Sequence, residues 1–490
     1  MELEIGRLIE ACGGRMLVSP ADDAAIARGL TWDSRDVEPG FVYAAIVGER
    51  VDGHAFVESA IRAGAVCALC SAEPSAAAIA AALEAGGCIV VVEDVPAAIA
   101  AIASAWRDEL DATVIGVTGS VGKTTTKGLV RDILSTKYKT WATKGNFNNE
   151  LGAPYTVISA PADTQMLVVE MGMDRPGQIA HLAGMAKPDM GIVSIVGTSH
   201  LEYLKTRENI ALAKAELLDA LPEGGRAFVN ASCDMTPLMV EHSRLTQRGV
   251  SVCAFSSAGE PEASLGAWAA GDAVWAEDIS VDGQGHPRFT LCARGAGLVG
   301  EGERRASATL SLRGAQNVSN ACGAVGVCLA CGMTFDEVVA ALEAAQPEAG
   351  RAELVRAKCG AVVFNDAYNA APESMCAAIA TLAAYEASGR RIAVLGDMGE
   401  LGCASAEGHA RAGRAAASAG IDALVCVGEL SRGTARAAEE AGMPRENIVR
   451  VANADEALAY LTKNIAEGDA VLVKASHYMG LDRVVEGIVE

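Results

Sequence analysis

The chain has 490 residues, with 40 Lys and Arg against 62 Asp and Glu, a formal net charge of -22. Nucleic acid or an anionic membrane needs a basic face on its protein partner, so neither is expected here. Hydrophobic residues make up 51% and aromatic ones only 4%, with 52 glycines. That suits Ala-rich helices on strands, in about three domains at ~150 residues each. The start, MELEIGRLIEACGG, is acidic and lacks the apolar core of a signal peptide, and no apolar run nears the ~20 residues of a membrane span. Fourteen cysteines without an export signal point to a reducing cytosol.

Residues 1–110 read as a small α/β domain. TWDSRDVEPGFVYAAIVGERVDGHAF places a turn at Pro39-Gly40, a strand over 41–47, a loop through Asp52-Gly53-His54 and a helix from Ala55. Strands are expected over 65–69 and 88–92, then a helix to Trp106. Ser34 and Arg35 precede the turn, and an arginine there can pair bidentately with a phosphate or carboxylate or simply stay solvated. Cys67/Cys70 and Cys328/Cys331 have C-x-x-C spacing, but both pairs sit in apolar runs and are read as core cysteines rather than half zinc sites.

The second segment, 111–345, opens on VIGVTGSVGKTTTK. An apolar strand from Val114 enters a turn with Gly116, Gly119, Ser120 and Gly122, and Lys123, Thr124, Thr125 and Thr126 begin a helix. Glycines let backbone N–H groups close around phosphate oxygens at a helix N-terminus, the lysine adds a charge, and the next hydroxyl can hold magnesium. The usual G-x-x-x-x-G-K-T spacing would need glycine where Val117 stands. The loop TKGNFNNELGAP follows, dense in Thr143, Asn146, Asn148 and Asn149. It serves turn chemistry or reads a polar ligand. TQMLVVE then runs a buried strand into Glu170, and GIVSIV delivers His200 to the same sheet edge, where α/β folds bind ligands. In RENIALAKAELLDAL, Ile210, Lys214, Leu217 and Leu218 share one helical face. Lys214 either snorkels to solvent or is desolvated into a neutral amine. Strands are expected over 227–230, 251–255 and 288–292, then a helix from Asn317 that sets Asn317 and Asn320 one turn apart, for an adenine edge or for capping.

A link over 343–351 separates the third segment, 346–490. Strands over 361–364, 391–395, 423–427, 448–451 and 470–473 alternate with Ala-rich helices, the pattern of a doubly wound parallel sheet. Its polar strand ends bring Asp366, Tyr368, Asn369, Asp397 and Glu400 to the ligand edge. No G-x-G-x-x-G follows a strand, so no dinucleotide site is expected.

Taken together, VTGSVGKTTTK, TKGNFNNELGAP, VVEMGM, SHLEYL with AKAELL, GAQNVSNA, GRAE, NDAYNAAPESM, LGDMGELG and VLVKAS resemble the Mur ligases of peptidoglycan synthesis in order and spacing across nearly the whole chain. The resemblance implies an α/β fold of three domains: a UDP-sugar substrate domain over 1–110, a P-loop-like ATP-binding domain over 111–345, and a Rossmann-like domain over 346–490 that binds the incoming amine. Within the family, YNAAPESM with LGDMGELG is similar to the branch that joins D-Ala-D-Ala to UDP-MurNAc-tripeptide, and the DNPR-like motif of the diaminopimelate-adding branch is absent.

By that resemblance ATP phosphorylates the tripeptide carboxyl and the dipeptide amine attacks the acyl phosphate. Lys123, Lys214 and His200 are implied as catalytic. Gly119, Ser120, Gly122, Lys123, Thr124, Thr125, Asn317, Asn320, Arg351 and Asp366 are implied to hold ATP. Thr124, Glu170, His200 and Lys214, the last as a carbamate, would hold Mg2+. Ser34, Arg35, Thr143, Asn146 and Asn148 would meet the UDP-sugar substrate, with Tyr368 and Asn369 as further substrate contacts. A cytoplasmic monomer is expected. The chain departs from the family pattern at Gln316, Asn365, Ala371 and His477. Two alternatives stay open: a related ligase with another amino acid or carboxylate, and a silent ATP-binding scaffold.

Overall fold

The structure is a computed structural model that describes residues 1–348 and 350–489. Position 349 of the expected 343–351 link and position 490 lie outside the described residues. The chain forms two compact units, one of Met1–Gly116, Tyr138–Met173 and Gly177–Met190, the other of Val117–Lys137, Asp174–Pro176 and the chain from Gly191 onward.

In the first unit a five-stranded sheet runs in the order Arg15–Val18, Cys88–Val91, Cys67–Cys70, Phe41–Ala44, Gly29–Thr31. All neighbours are parallel except the Arg15–Val18 edge. The Phe41 strand stops earlier than expected, because Gly53 N–H donates to Ile46 O and an isolated Val47–Asp52 bridge folds the loop back. Ser75 and Asp94 side chains accept from Ala78 and Ala97 N–H groups and start the helices Ala76–Ala85 and Val95–Glu109. Trp106, on the second of these, is buried with its indole N–H on Ala160 O. The same unit pairs the strand Met166–Glu170 in parallel with Thr140–Ala142. Short and half-exposed, Thr140–Ala142 has no alternation to announce it.

The second unit holds the strands Arg226–Asn230, Ser251–Ser256 and Asp272–Val281 in parallel, extended antiparallel by Pro287–Arg294 and Glu303–Thr309. Helix Asn317–Ala330 packs its Gly323 and Gly326 onto Ile192, Phe255 and Phe228, an approach that a larger side chain would block. A second sheet runs in the order Glu353–Arg356, Val362–Asn365, Ala470–Lys474, Arg391–Gly396, Ala423–Val427, Ile448–Val451. Five of its strands are parallel and Glu353–Arg356 is an antiparallel edge. Separate apolar cores cover its two faces, one around Met375, Leu395 and Leu424, the other around Val394, Val471 and Leu481. This is the doubly wound sheet expected from the alternating pattern.

All fourteen cysteines are free thiols, and Cys67, Cys70 and Cys328 are buried in apolar surroundings, in keeping with core cysteines. Among the described residues no helix is long and apolar enough to cross a membrane.

Candidate active site

The strand Thr113–Thr118 delivers a glycine loop to the helix Lys123–Leu134. Val117 is fully buried in the strand, so the chain turns at Gly119 and not at position 117. Gly119 and Gly122 have φ of 150° and 84°. A Cβ on Gly122 would lie 2.5 Å from Asn320 Oδ1, and one on Gly119 would overlap Ser194 Oγ. The loop is therefore held close to its neighbours, and its backbone faces the start of a helix whose partial positive charge favours phosphate. Ser120 N–H donates to Ile195 O at 2.7 Å, while its buried hydroxyl has no hydrogen-bond partner among the described residues. Lys123 Nζ folds back onto Gly119 O at 2.9 Å.

Gly122, Thr125, Asn317, Asn320, Arg351 and Asp366 line one cleft, and Ser120, Lys123, Thr124 and Asn369 line its extension, with Arg351 shared by both. Every residue expected at the nucleotide belongs to this one unit, and all but Gly119 line the cleft or its extension. Asn320 Nδ2 donates to Asn317 Oδ1 at 3.0 Å and Asn317 Nδ2 to Arg313 O at 2.7 Å, so each amide spends part of its capacity on orientation. Arg351 reaches Thr124 Oγ1 at 3.4 Å, and its guanidinium lies 4.2 Å from the Tyr368 ring centroid. His477 also stands against Tyr368, ring to ring at 5.4 Å.

Polar cleft residues that the sequence reading did not single out include Ser194, Asn230, Glu373 and Lys474. Asn230 and Lys474 each end a buried strand in a polar side chain, the same signal that picked out Glu170. Lys474 is fully buried and lies 2.6 Å from Asp366 Oδ2. Burial lowers its pKa, and Asp366 opposes that shift. Glu373 accepts from the Thr198 hydroxyl through both carboxylate oxygens, at 3.1 and 3.2 Å. Asp397 is taken up differently: its carboxylate accepts from Glu429 and Ser431 N–H groups and holds a loop of its own sheet.

Of the expected metal ligands, Thr124, His200 and Lys214 belong to the second unit and Glu170 to the first. Glu170 is fully buried at its strand end, and Asn148 Nδ2 donates to its Oε1 at 2.7 Å. His200 sits in left-handed backbone, φ 64°, before the short helix Leu201–Leu204. Its Nδ1 lies 2.6 Å from Glu400 Oε2, and Glu400 is also left-handed at φ 61°. The histidine lowers the pKa of the Glu400 carboxyl. Lys214 is buried in the helix Arg207–Asp219, on the apolar side as its spacing implied. Burial pushes its ammonium well below the usual lysine range, and the charge of Lys123 pushes the same way.

The residues expected at the sugar substrate lie in the first unit. Arg35 is exposed and forked onto Asp33 at 2.5 Å, which lowers the Asp33 pKa to about 2; Ser34 is half-buried. Asn146 is exposed. Thr143 is buried, and its hydroxyl accepts from Glu170 N–H at 3.0 Å and from the Thr156 hydroxyl at 3.3 Å, so it braces the strand that carries Glu170. Trp32, Tyr155 and Phe147 form an edge-to-face row that the sequence reading missed, with centroids 5.2 and 6.0 Å apart.

Three family models match the chain: "Mur ligase family, catalytic domain" over residues 27–107, "Mur ligase middle domain" over 117–328, and "Mur ligase, glutamate ligase domain" over 350–477. The UDP-N-acetylmuramoyl-tripeptide--D-alanyl-D-alanine ligase of Mycobacterium bovis is 36% identical, over 100% of this chain and 98% of its own length. A crystal structure of MurF from Acinetobacter baumannii superposes with a TM-score of 0.82 at 26% identity, covering 100% of this chain and 99% of that one. The MurF ligase of Thermotoga maritima in complex with ADP gives a TM-score of 0.75 at 26% identity, over 94% and 97%. With models covering all three segments, and a relative matched end to end, the chain belongs to the Mur ligase family.

Proposed function

We propose that this chain joins D-Ala-D-Ala to the tripeptide carboxylate of UDP-MurNAc-tripeptide, at the expense of ATP, in peptidoglycan precursor synthesis. The observation that carries the reading is the cleft in which the phosphate loop of the middle domain meets Arg351, Asp366 and Asn369 of the third. Such a cleft can hold a nucleotide while a third domain presents an amine. The end-to-end likeness to tripeptide:D-Ala-D-Ala ligases supports the choice of substrates.

A carboxylate is a poor electrophile, so the carboxyl is first phosphorylated by ATP. The dipeptide amine then attacks the acyl carbon, its proton leaves to solvent or a base, and inorganic phosphate departs with the former carboxyl oxygen. The protein's work is positioning and charge neutralisation. The loop N–H groups around Gly122 at the helix start cradle phosphate, Lys123 unfolds from Gly119 O to meet it, and Asn317, Asn320 and Asp366 orient the nucleoside. Arg351 adds a fixed charge over Thr124.

The donors suit Mg2+. It favours oxygen ligands, and Glu170 offers a carboxylate at a buried strand end and Thr124 a hydroxyl in the first helical turn. When bound, the ion neutralises charge on the transferring phosphoryl group. An amine is a poor ligand for it, but CO2 adds to a neutral amine, and Lys214 is held toward that form. As a carbamate Lys214 becomes an anionic oxygen donor. Ser34, Arg35, Asn146 and Asn148 take the UDP-sugar substrate, with Thr143 in support, and Tyr368 and Asn369 lie toward the dipeptide. The first domain spans 1–110, the ATP-binding domain 111–345 and the dipeptide domain 346–490, and the chain acts as a cytoplasmic monomer.

The test is phosphate release from ATP and Mg2+ with UDP-MurNAc-tripeptide, with and without D-Ala-D-Ala. Release that requires both substrates supports the reading. Release with another amino acid in place of the dipeptide would move the assignment to a sibling ligase, and none with any muramoyl peptide would overturn it.

A further inference from the structure

The helix that begins at the phosphate loop carries a fully buried lysine, Lys127, to which the chemistry above gives no part. Its Nζ lies 3.1 Å from Glu348 Oε1, and Arg131 Nη1 reaches the same oxygen at 2.8 Å. Glu348 belongs to the link between the second and third domains. The fit is close: a Cβ on Gly128 would come 2.9 Å from Glu348 Oε1. Arg131 also holds Asp132, whose other oxygen accepts from Gln346 N–H at 3.2 Å.

The link then returns to the same helix. Arg351 N–H donates to Glu348 O at 3.1 Å, Gly350 is left-handed with φ 67°, and the Arg351 guanidinium reaches Thr124 Oγ1. Thr124, Lys127 and Arg131 stand at i, i+3 and i+7, one face of one helix. The link is therefore strapped along the phosphate-loop helix, with Glu348 at its fixed end and Arg351 over the first turn.

We infer that Glu348 is a positioning residue: clamped by Lys127 and Arg131, it sets where Arg351 stands against the nucleotide phosphates. A carboxylate shared between a buried ammonium and a guanidinium is costly to move, so Glu348 is a stiff anchor for the link. This rests on the reading of Arg351 as a nucleotide contact.

The test is calorimetric titration of the full chain with ADP and Mg2+, for wild type, Glu348→Gln, Arg351→Ala and the double variant. ADP binding does not depend on which amide is made. We expect Glu348→Gln to weaken ADP at least tenfold, and the double variant to bind no worse than Arg351→Ala alone, because a residue that acts through Arg351 has nothing left to lose. Full additivity, or Glu348→Gln within twofold of wild type, would overturn the inference. Wild type that binds ADP with Arg351→Ala unchanged would instead remove the reading of Arg351. If Glu348→Gln does not fold, Lys127→Met with Glu348→Gln removes both charges of the pair. That pair should fold and keep the weak affinity, and wild-type affinity in it would overturn the proposal.

Discussion

Lys474 Nζ, fully buried, lies 2.6 Å from Asp366 Oδ2 and 2.8 Å from the carbonyl oxygen of Asn369. One ammonium thus ties two residues of the candidate cleft to the end of a central strand. Asp366→Asn removes the counter-charge and leaves the ammonium buried, which should cost about 3 kcal/mol. Urea unfolding of wild type and variant measures this, and an unchanged midpoint would show that the pair contributes nothing.

Lys214 gives a pH prediction with a definite sign. Its folded-state pKa lies below the usual ~10.4, so the unfolded chain binds more protons and stability rises with pH from the lowered value up to about 10.4. Lys214→Met should stabilise the chain at neutral pH in CO2-free buffer and flatten that rise. Thermal melts across pH check it; an equal slope in the variant would contradict it. Activity should fall by more than a hundredfold in Lys214→Ala and partly return with added short carboxylic acids.

Gly122→Ala meets both a left-handed backbone and Asn320 Oδ1 at 2.5 Å. Strain of roughly 1–2 kcal/mol and a displaced asparagine should weaken ADP binding about tenfold or more. Titration with ADP decides this, and wild-type affinity would mean that the loop relaxes without harm.

Asn148 Nδ2 donates to Glu170 Oε1 at 2.7 Å and aims the carboxylate. In Asn148→Ala the concentration of Mg2+ for half-maximal turnover should rise tenfold or so, within the range for partners that orient metal ligands. The KM for D-Ala-D-Ala should stay near wild type. A change confined to the dipeptide KM would place Asn148 elsewhere in the chemistry.

Much of the fold was legible because it is local. Buried parallel strands read as short apolar runs, and the five parallel strands of the C-terminal sheet were readable from them. The phosphate loop was legible because glycine, lysine and threonine must follow one another in a turn and a helix start. The inward face of Lys214 follows from helical spacing alone. The strands Thr140–Ala142 and Glu353–Arg356 lack a clear pattern, being short and half-buried, and were missed.

Tertiary structure alone decided which polar side chains meet. Arg351 reaches Thr124 across 227 positions, and Lys474 meets Asp366 across 108. Thr143 appeared in sequence as one more polar loop residue, yet its hydroxyl faces inward onto the amide of Glu170. The reason is physical: a hydrogen bond or ion pair is set by distance in space, and periodicity reports only which face of its own element a residue occupies. By itself, the sequence determined the class of fold, the phosphate loop and the apolar helical face on which Lys214 stands, while packing decided that its side chain is buried. Packing determined the clamp on Glu348, the partner of Lys474 and the contact between His200 and Glu400.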